Sequence, residues 1–179
     1  MKKCTIILVF LSLLAASVYS QECGIDRWKI KTVRDKDARQ IKWTAVSSTV
    51  SQQCALPRTI QHWKTDPRQT EEKQLYKIRC KIIGLGKEPD NDFHVIVQDM
   101  TTKETMVVEI PDPTCQELAN TKLAPKYAQA RSFLTNLYGE PGAIKKVKPK
   151  NITIYGVGFW EKLNHGQGHS TDAWKWKVE

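Results

Sequence analysis

From Gln74 onward the chain alternates apolar and polar residues with a period of two, interrupted by one helical stretch. That pattern limits this part to a mainly β architecture with one helix. Along 74–85, Tyr76, Ile78, Cys80 and Ile82 share one face while Lys77, Arg79 and Lys81 share the other. Gly84 and Gly86 follow, where a strand is free to bulge or bend. A turn cluster from Lys87 to Asn91 leads to a second strand over 92–99. Phe93, Val95 and Val97 point inward on it, and His94, Ile96 and Gln98 point outward. The third strand, 104–110, turns Met106, Val108 and Ile110 inward and Val107 and Glu109 outward, and Pro111-Asp112-Pro113 stops it. Tyr127, Ala130, Leu134 and Leu137 recur at helical spacing between Pro125 and a stop at Gly139 and Pro141. Residues 143–150 read as a lysine-rich connector, 151–160 as the fourth strand, 164–172 as a polar loop and 173–178 as the last strand.

Residues 1–20 read as a secretory signal. Lys2 and Lys3 precede an apolar run from Thr5 to Ala16, and Val18 and Ser20 set small residues before Gln21. The run is shorter than the roughly 20 residues that a spanning helix needs, so export without stable membrane insertion is expected, to the periplasm or the exterior. Cys23, Cys54, Cys80 and Cys115 then remain, and four cysteines in an exported chain suggest two disulfides with three possible connectivities. Cys23 with Cys54 is the favoured pair, since both precede residue 74, leaving Cys80 with Cys115. Cys80 at an inward position also fits a buried thiol. No CxxC spacing occurs, and neither metal nor cofactor is expected.

Residues 21–73 read as an extension packed on the 74–179 domain, because about 50 residues make a marginal core alone. Within it, Trp28 to Val33 alternates like a half-buried strand, Asp35-Lys36-Asp37 reads as a turn, Ile41 to Val50 as another strand, and 57–69 as irregular. Of the 28 basic residues, two fall within the signal, as do none of the 19 acids, so the exported chain carries 26 − 19 = +7. A basic surface of this kind suits nucleic acid, anionic glycans or membrane surfaces.

The order strand, strand, strand, helix, strand, strand over 74–179 resembles the OB-fold superfamily, as do the glycines ending the first strand and the long loop before the last. The resemblance implies a five-stranded OB-fold-like barrel whose outward strand face binds a ligand, often an oligonucleotide or oligosaccharide. More narrowly, Arg27-Trp28-x-Ile30-Lys31-Thr32 and Asp90-x-Asp92-x-His94-Val95-Ile96-Val97 resemble a group of uncharacterised secreted bacterial proteins. So do Glu109-Ile110-Pro111-Asp112-Pro113-x-Cys115 and Gly156-Val157-Gly158-Phe159-x5-His165-Gly166-Gln167. Lys175 and Trp176 stand where that group often carries His-Pro. Secreted staphylococcal-type nucleases are also OB barrels, and Asp112-Pro113-Thr114 falls near the aspartate of their Asp-Thr-Pro-Glu run. Val107 occupies the position of their arginine, which removes the guanidinium clamp on phosphate.

Two constellations carry the functional expectations. A hairpin symmetric about Thr101-Thr102 sets Phe93 opposite Ile110, Val95 opposite Val108, Val97 opposite Met106, and His94 opposite Glu109 on the outer face. Asp92 lies two residues before His94 on that face. A carboxylate beside an imidazole favours its charged form. Asp92, His94 and Glu109 could therefore hold a metal ion, orient a water or grip a ligand hydroxyl, with His165 as a helper. They equally fit an ordinary cross-strand charge pair worth about 0.2–1 kcal/mol, or a structural pair covered by the extension. The second constellation is the stripe Lys77, Arg79 and Lys81, continued by Lys145, Lys146, Lys148 and Lys150, with Tyr155, Phe159, Trp174 or Trp176 as stacking platforms and Gln98 alongside. It also fits lysines that merely keep a sheet soluble. His165-Gly166-Gln167-Gly168-His169 lies in a loop that often touches ligand in OB barrels. The leading expectation is an exported binding module for nucleic acid or an anionic or sugar polymer. The alternatives are a phosphodiesterase-like hydrolase with His94 as base, and an envelope protein-interaction module.

Overall fold

The computed structural model describes residues 23–24, 27–57, 65–162 and 174–178. The signal stretch 1–20 and the 164–172 loop with His165 lie outside these residues. The fold is mainly β. Six strands, β1 (Lys42–Ser48), β2 (Gln74–Lys87), β3 (Phe93–Gln98), β4 (Thr105–Ile110), β5 (Lys145–Lys162) and β6 (Trp174–Val178), form one sheet in the order β1-β2-β3-β4-β6-β5, and β5 also pairs with β2. Among the described residues three α-helices accompany them, α1 (Trp28–Lys31), α2 (Val50–Cys54) and α3 (Ala124–Tyr138).

β2 organises the sheet because it is long enough to serve three partners. Its first half pairs with β1 in parallel, its second half with β3, and most of its length with β5. Ile78, Cys80 and Ile82 are buried, whereas Lys77 and Arg79 are exposed, as the alternation requires. The register with both β3 and β5 shifts between Ile82 and Gly84, so the strand bulges where the glycines begin. At Gly86 an added Cβ would sit 2.5 Å from the Ile144 Cα, so the segment entering β5 crosses too closely for any side chain.

The β3–β4 hairpin has the expected register at every pair, from Phe93 opposite Ile110 to Val97 opposite Met106, with His94 opposite Glu109. Phe93, Val95, Val97, Met106, Val108 and Ile110 join Ile78, Ile82 and Leu85 in the core. Asp99 closes this hairpin and ties it to α2. Its Oδ1 accepts from the Thr101 and Thr102 amides at 2.9 and 3.2 Å and from the Thr101 hydroxyl at 2.9 Å, while Oδ2 accepts from the Ser51 amide at 3.0 Å. α2 itself begins with a capping box, in which Thr49 and Gln52 satisfy each other's backbone amides.

Four expectations are corrected. The 143–150 connector is strand: β5 starts at Lys145, because the second half of β2 needs a partner along that edge, and Lys145 and Lys150 stand opposite Leu85 and Ile82. Trp28 to Val33 is a helical turn, not a strand. Thr32 Oγ1 donates to the Trp28 carbonyl at 2.6 Å, and Lys31, a polar position of that alternation, is buried. In α3, Ala124, Tyr127 and Leu134 are buried, but Leu137 is 38% exposed near the helix end. The helix stops as expected at Gly139, whose φ of 80° suits glycine. Finally, Cys23 bonds Cys115, not Cys54, with the Cα atoms 6.0 Å apart.

That disulfide still tethers the N-terminal segment, to the turn after β4. Cys54 is exposed, with its Sγ 3.6 Å from the Thr105 carbonyl. Cys80 is a buried thiol whose pKa burial pushes up to about 12, so it stays protonated and inert at neutral pH. The segment before residue 74 belongs to the same core: Trp28 and Val50 pack in one cluster with the strands, and β1 is the sheet's sixth strand.

The hydrogen bonds on Asp99, from the Thr101 amide first, hold its carboxyl well below the usual carboxylate range. A lowered folded value contributes stability above the ordinary value of about 3.9 and loses it as pH falls further. Asp99→Ala is expected to cost about 1–2 kcal/mol at pH 7, the range for a lost cap, and clearly less at pH 3. Urea unfolding at both pH values measures this; an equal cost at both would refute the assignment.

Candidate functional site

The expected cluster of Asp92, His94 and Glu109 is assembled, but it is roofed by the N-terminal segment. Asp92 ends the turn into β3, His94 lies on β3 and Glu109 on β4. All three are buried, Asp92 and Glu109 completely. α1 lays Lys31 over them. Its ammonium nitrogen is 2.5 Å from Asp92 Oδ2, 2.9 Å from Glu109 Oε2 and 3.8 Å from Asp90 Oδ2. His94 Nε2 contacts Glu109 Oε1, and Nδ1 lies 3.1 Å from Glu88 Oε1 in the β2–β3 turn. Asp92 Oδ1 accepts from the Asp112 amide at 3.0 Å, which fixes the exit of β4. Burial pushes the Asp92 carboxyl up, and the Lys31 ammonium works against that shift.

His94 and Glu109 thus stand opposite each other as expected, and of the alternatives weighed for them the geometry matches the pair covered by the N-terminal segment. Hydrolytic base chemistry needs a ring nitrogen within reach of a substrate proton, and both His94 nitrogens already lie against carboxylates. The space among Asp90, Asp92 and Glu109 that a cation would seek is filled by the Lys31 ammonium. Among the described residues no set of His, Cys, Asp and Glu is arranged to hold a metal ion.

A second buried network secures the same segment one turn earlier. Arg27 makes a bidentate pair with Glu72 at 2.6 and 2.8 Å and donates to the Trp160 carbonyl at 2.9 Å. Glu72 also accepts from the Trp160 and Gln69 amides, both at 2.7 Å. Arg68 reaches Asp35 Oδ2 at 2.6 Å, the Ile30 carbonyl at 2.6 Å and the Glu72 carbonyl at 2.9 Å. Sequence reasoning missed Arg27, Lys31, Arg68, Glu72 and Glu88. The available signal was the four-residue spacing of Arg27 and Lys31, which a helical turn places on neighbouring positions.

The exposed candidate is the β2–β5 face. Lys77 stands opposite Tyr155 on β5 and Ser47 on β1; Arg79 opposite Thr153; and Lys81 opposite Asn151 on β5 and Gln98 on β3. These rows contain no carboxylate. Among the described residues, no ion pair engages Lys77, Arg79 or Lys81. Successive rows along a strand are about 6.7 Å apart, so three cations form a line rather than a cluster. Tyr155 is 59% exposed, and the Lys77 ammonium lies 5.8 Å from its ring centroid. Gln98 is half-buried at the end of the face. Lys145, Lys146, Lys148 and Lys150 are all exposed, but Lys150 pairs with Ile82 and so leaves the sheet on the side opposite Lys81. The stripe is therefore shorter than expected. Of the other proposed platforms, Phe159 is buried beneath Arg27, whose guanidinium lies 5.4 Å from its ring centroid.

Removing one partner from a buried pair strands the other charge. Lys31→Met is expected to destabilise the protein by about 3–5 kcal/mol in urea unfolding at pH 7, and adding Asp92→Asn should recover part of that loss. A cost below about 1 kcal/mol for Lys31→Met would show that the network does not hold the segment. No known protein family, curated protein or solved structure matches this chain.

Proposed function

We propose that this protein is an exported OB-type β module that binds an anionic polymer, nucleic acid or acidic polysaccharide, along the β2–β5 face. The pairing of β5 with both β6 and β2 supports reading the sheet as a barrel of that type. The observation that carries the binding assignment is the line Lys77, Arg79 and Lys81, without ion-pair partners among the described residues, beside the exposed Tyr155 ring. Unneutralised cations on a rigid strand attract a polyanion by releasing its counterions, and an aromatic face stacks on a base or a sugar ring. Thr153, Asn151 and Gln98 supply neutral donors and acceptors between the charges. The hydrolase reading has less support, since His94 sits beneath α1 between two carboxylates.

Fluorescence-anisotropy titrations with single-stranded DNA and with heparin test the assignment. If the three cations each meet one phosphate, log affinity for single-stranded DNA should fall with log salt at a slope of about −2. The Lys77→Ala/Arg79→Ala/Lys81→Ala variant should abolish that slope. Tyr155→Ala should weaken binding by about 1–3 kcal/mol with the slope unchanged. Binding of either polymer that survives the triple substitution would place the site elsewhere. No binding of either polymer by the folded wild type would leave this face to a protein partner.

A further inference from the structure

We propose that His94 is a pH-sensitive clamp that fastens the β2–β3 turn, and with it the seat of the N-terminal segment, onto the sheet. The geometry favours two protons on the ring, because a carboxylate oxygen lies against each nitrogen. Nε2 contacts Glu109 and Nδ1 lies 3.1 Å from Glu88, and ionised carboxylates only accept. The imidazolium is drawn to both carboxylates; the neutral ring can donate to only one. Its side chain is 10% exposed, so water does little to replace a lost contact.

The surrounding charges decide which contact opens. From β4, Glu109 faces His94 and is itself held by Lys31 of α1. From the β2–β3 turn come Glu88 and, beyond Lys31, Asp90; Asp92 precedes His94 on its own strand and also binds Lys31. From β2 the residue opposite is Gly86, which carries no charge. From α3, Arg131 donates to the Asn91 and Ile110 carbonyls at 2.9 and 3.2 Å and lies over the Phe93 ring. Acidic groups therefore outnumber cations around the ring, and loss of the His94 proton makes the imbalance worse. Glu109 is fully buried and keeps Lys31, so it holds the remaining N–H. Glu88, with its side chain 22% exposed, is the group able to swing into water, away from the Nδ1 lone pair.

The turn that Glu88 leaves is narrow. Glu88 N donates to the Asp92 carbonyl at 2.9 Å, Asn91 N donates to the Glu88 carbonyl at 2.8 Å, and Asn91 holds φ 65°. Asp90 in this turn also lies against the N-terminal segment, where a Cβ on Gly24 would come within 2.7 Å of its carboxylate. Opening the Glu88 contact thus loosens both the turn and the surface on which residues near Cys23 rest. The sign follows directly. The clamp is closed at pH values below the ordinary imidazole value of about 6.5, and its contribution disappears as pH rises and the ring in the folded protein loses its proton.

The test is amide hydrogen exchange on the full exported chain between pH 5.5 and 9, expressed as protection factors to remove the intrinsic pH dependence. Glu88 and Asn91 amides should lose at least tenfold in protection across this range, while core amides of β3 such as Val97 stay constant. Glu88→Gln, at a partly exposed site, should fold and show no pH dependence at those amides. His94→Gln should do the same. Constant wild-type protection would overturn the proposal, as would an unchanged pH dependence in Glu88→Gln. If His94→Gln fails to fold, the Glu88→Gln comparison alone decides the matter.

Discussion

Lys31 places an ammonium between two carboxylates that β3 and β4 bury on one face, and this arrangement governs how the first third of the chain is used. Asp92 and Glu109 have no exposure at all, so each needs a countercharge brought from another element. Breaking such a pair strands a charge in low dielectric, which is why it dictates position even if its net stabilisation is modest. Arg27 with Glu72 repeats the device four residues earlier, against the end of β5. Between them the two cations specify where α1 lies and which way it faces. Apolar packing of Trp28 alone would leave that choice looser.

The covering of one face also sorts the molecule's chemistry. Beneath α1, histidine and acids are consumed in holding one another. On the β2–β5 face the cations have no acidic neighbours along their rows, and the Tyr155 ring opposite Lys77 is open to solvent. The same strand, β2, supplies the core with Ile78, Cys80 and Ile82 and the surface with Lys77, Arg79 and Lys81. A rigid central strand is a good scaffold for binding, because its side chains are already spaced and ordered before a ligand arrives.

What the sequence made legible was whatever depended on local alternation. The β3–β4 register followed from six apolar residues that had to meet across one turn, and it located His94 opposite Glu109 correctly. What stayed hidden depended on distant parts of the chain. Lys31 reads as a solvent-facing lysine until the acids that bury it are placed. Residues 145–150 carry too little apolar character to announce a strand, since the reason for that strand is the open edge of β2. Leu137 continues the apolar spacing of α3, yet the core ends before it reaches that turn. The cysteine pairing had no local signal at all, because Cys23 and Cys115 lie 92 residues apart and are brought together only by the fold.

That disulfide spans 92 residues of chain and encloses β1 to β4 within one covalent ring. A single peptide-bond cut anywhere inside the ring, including the stretch between α2 and β2, would leave both fragments joined. Non-covalent contacts across the cut could then go on acting within one molecule, at the high effective concentration of a tethered pair. Such a cut would produce a nicked protein rather than two separated pieces.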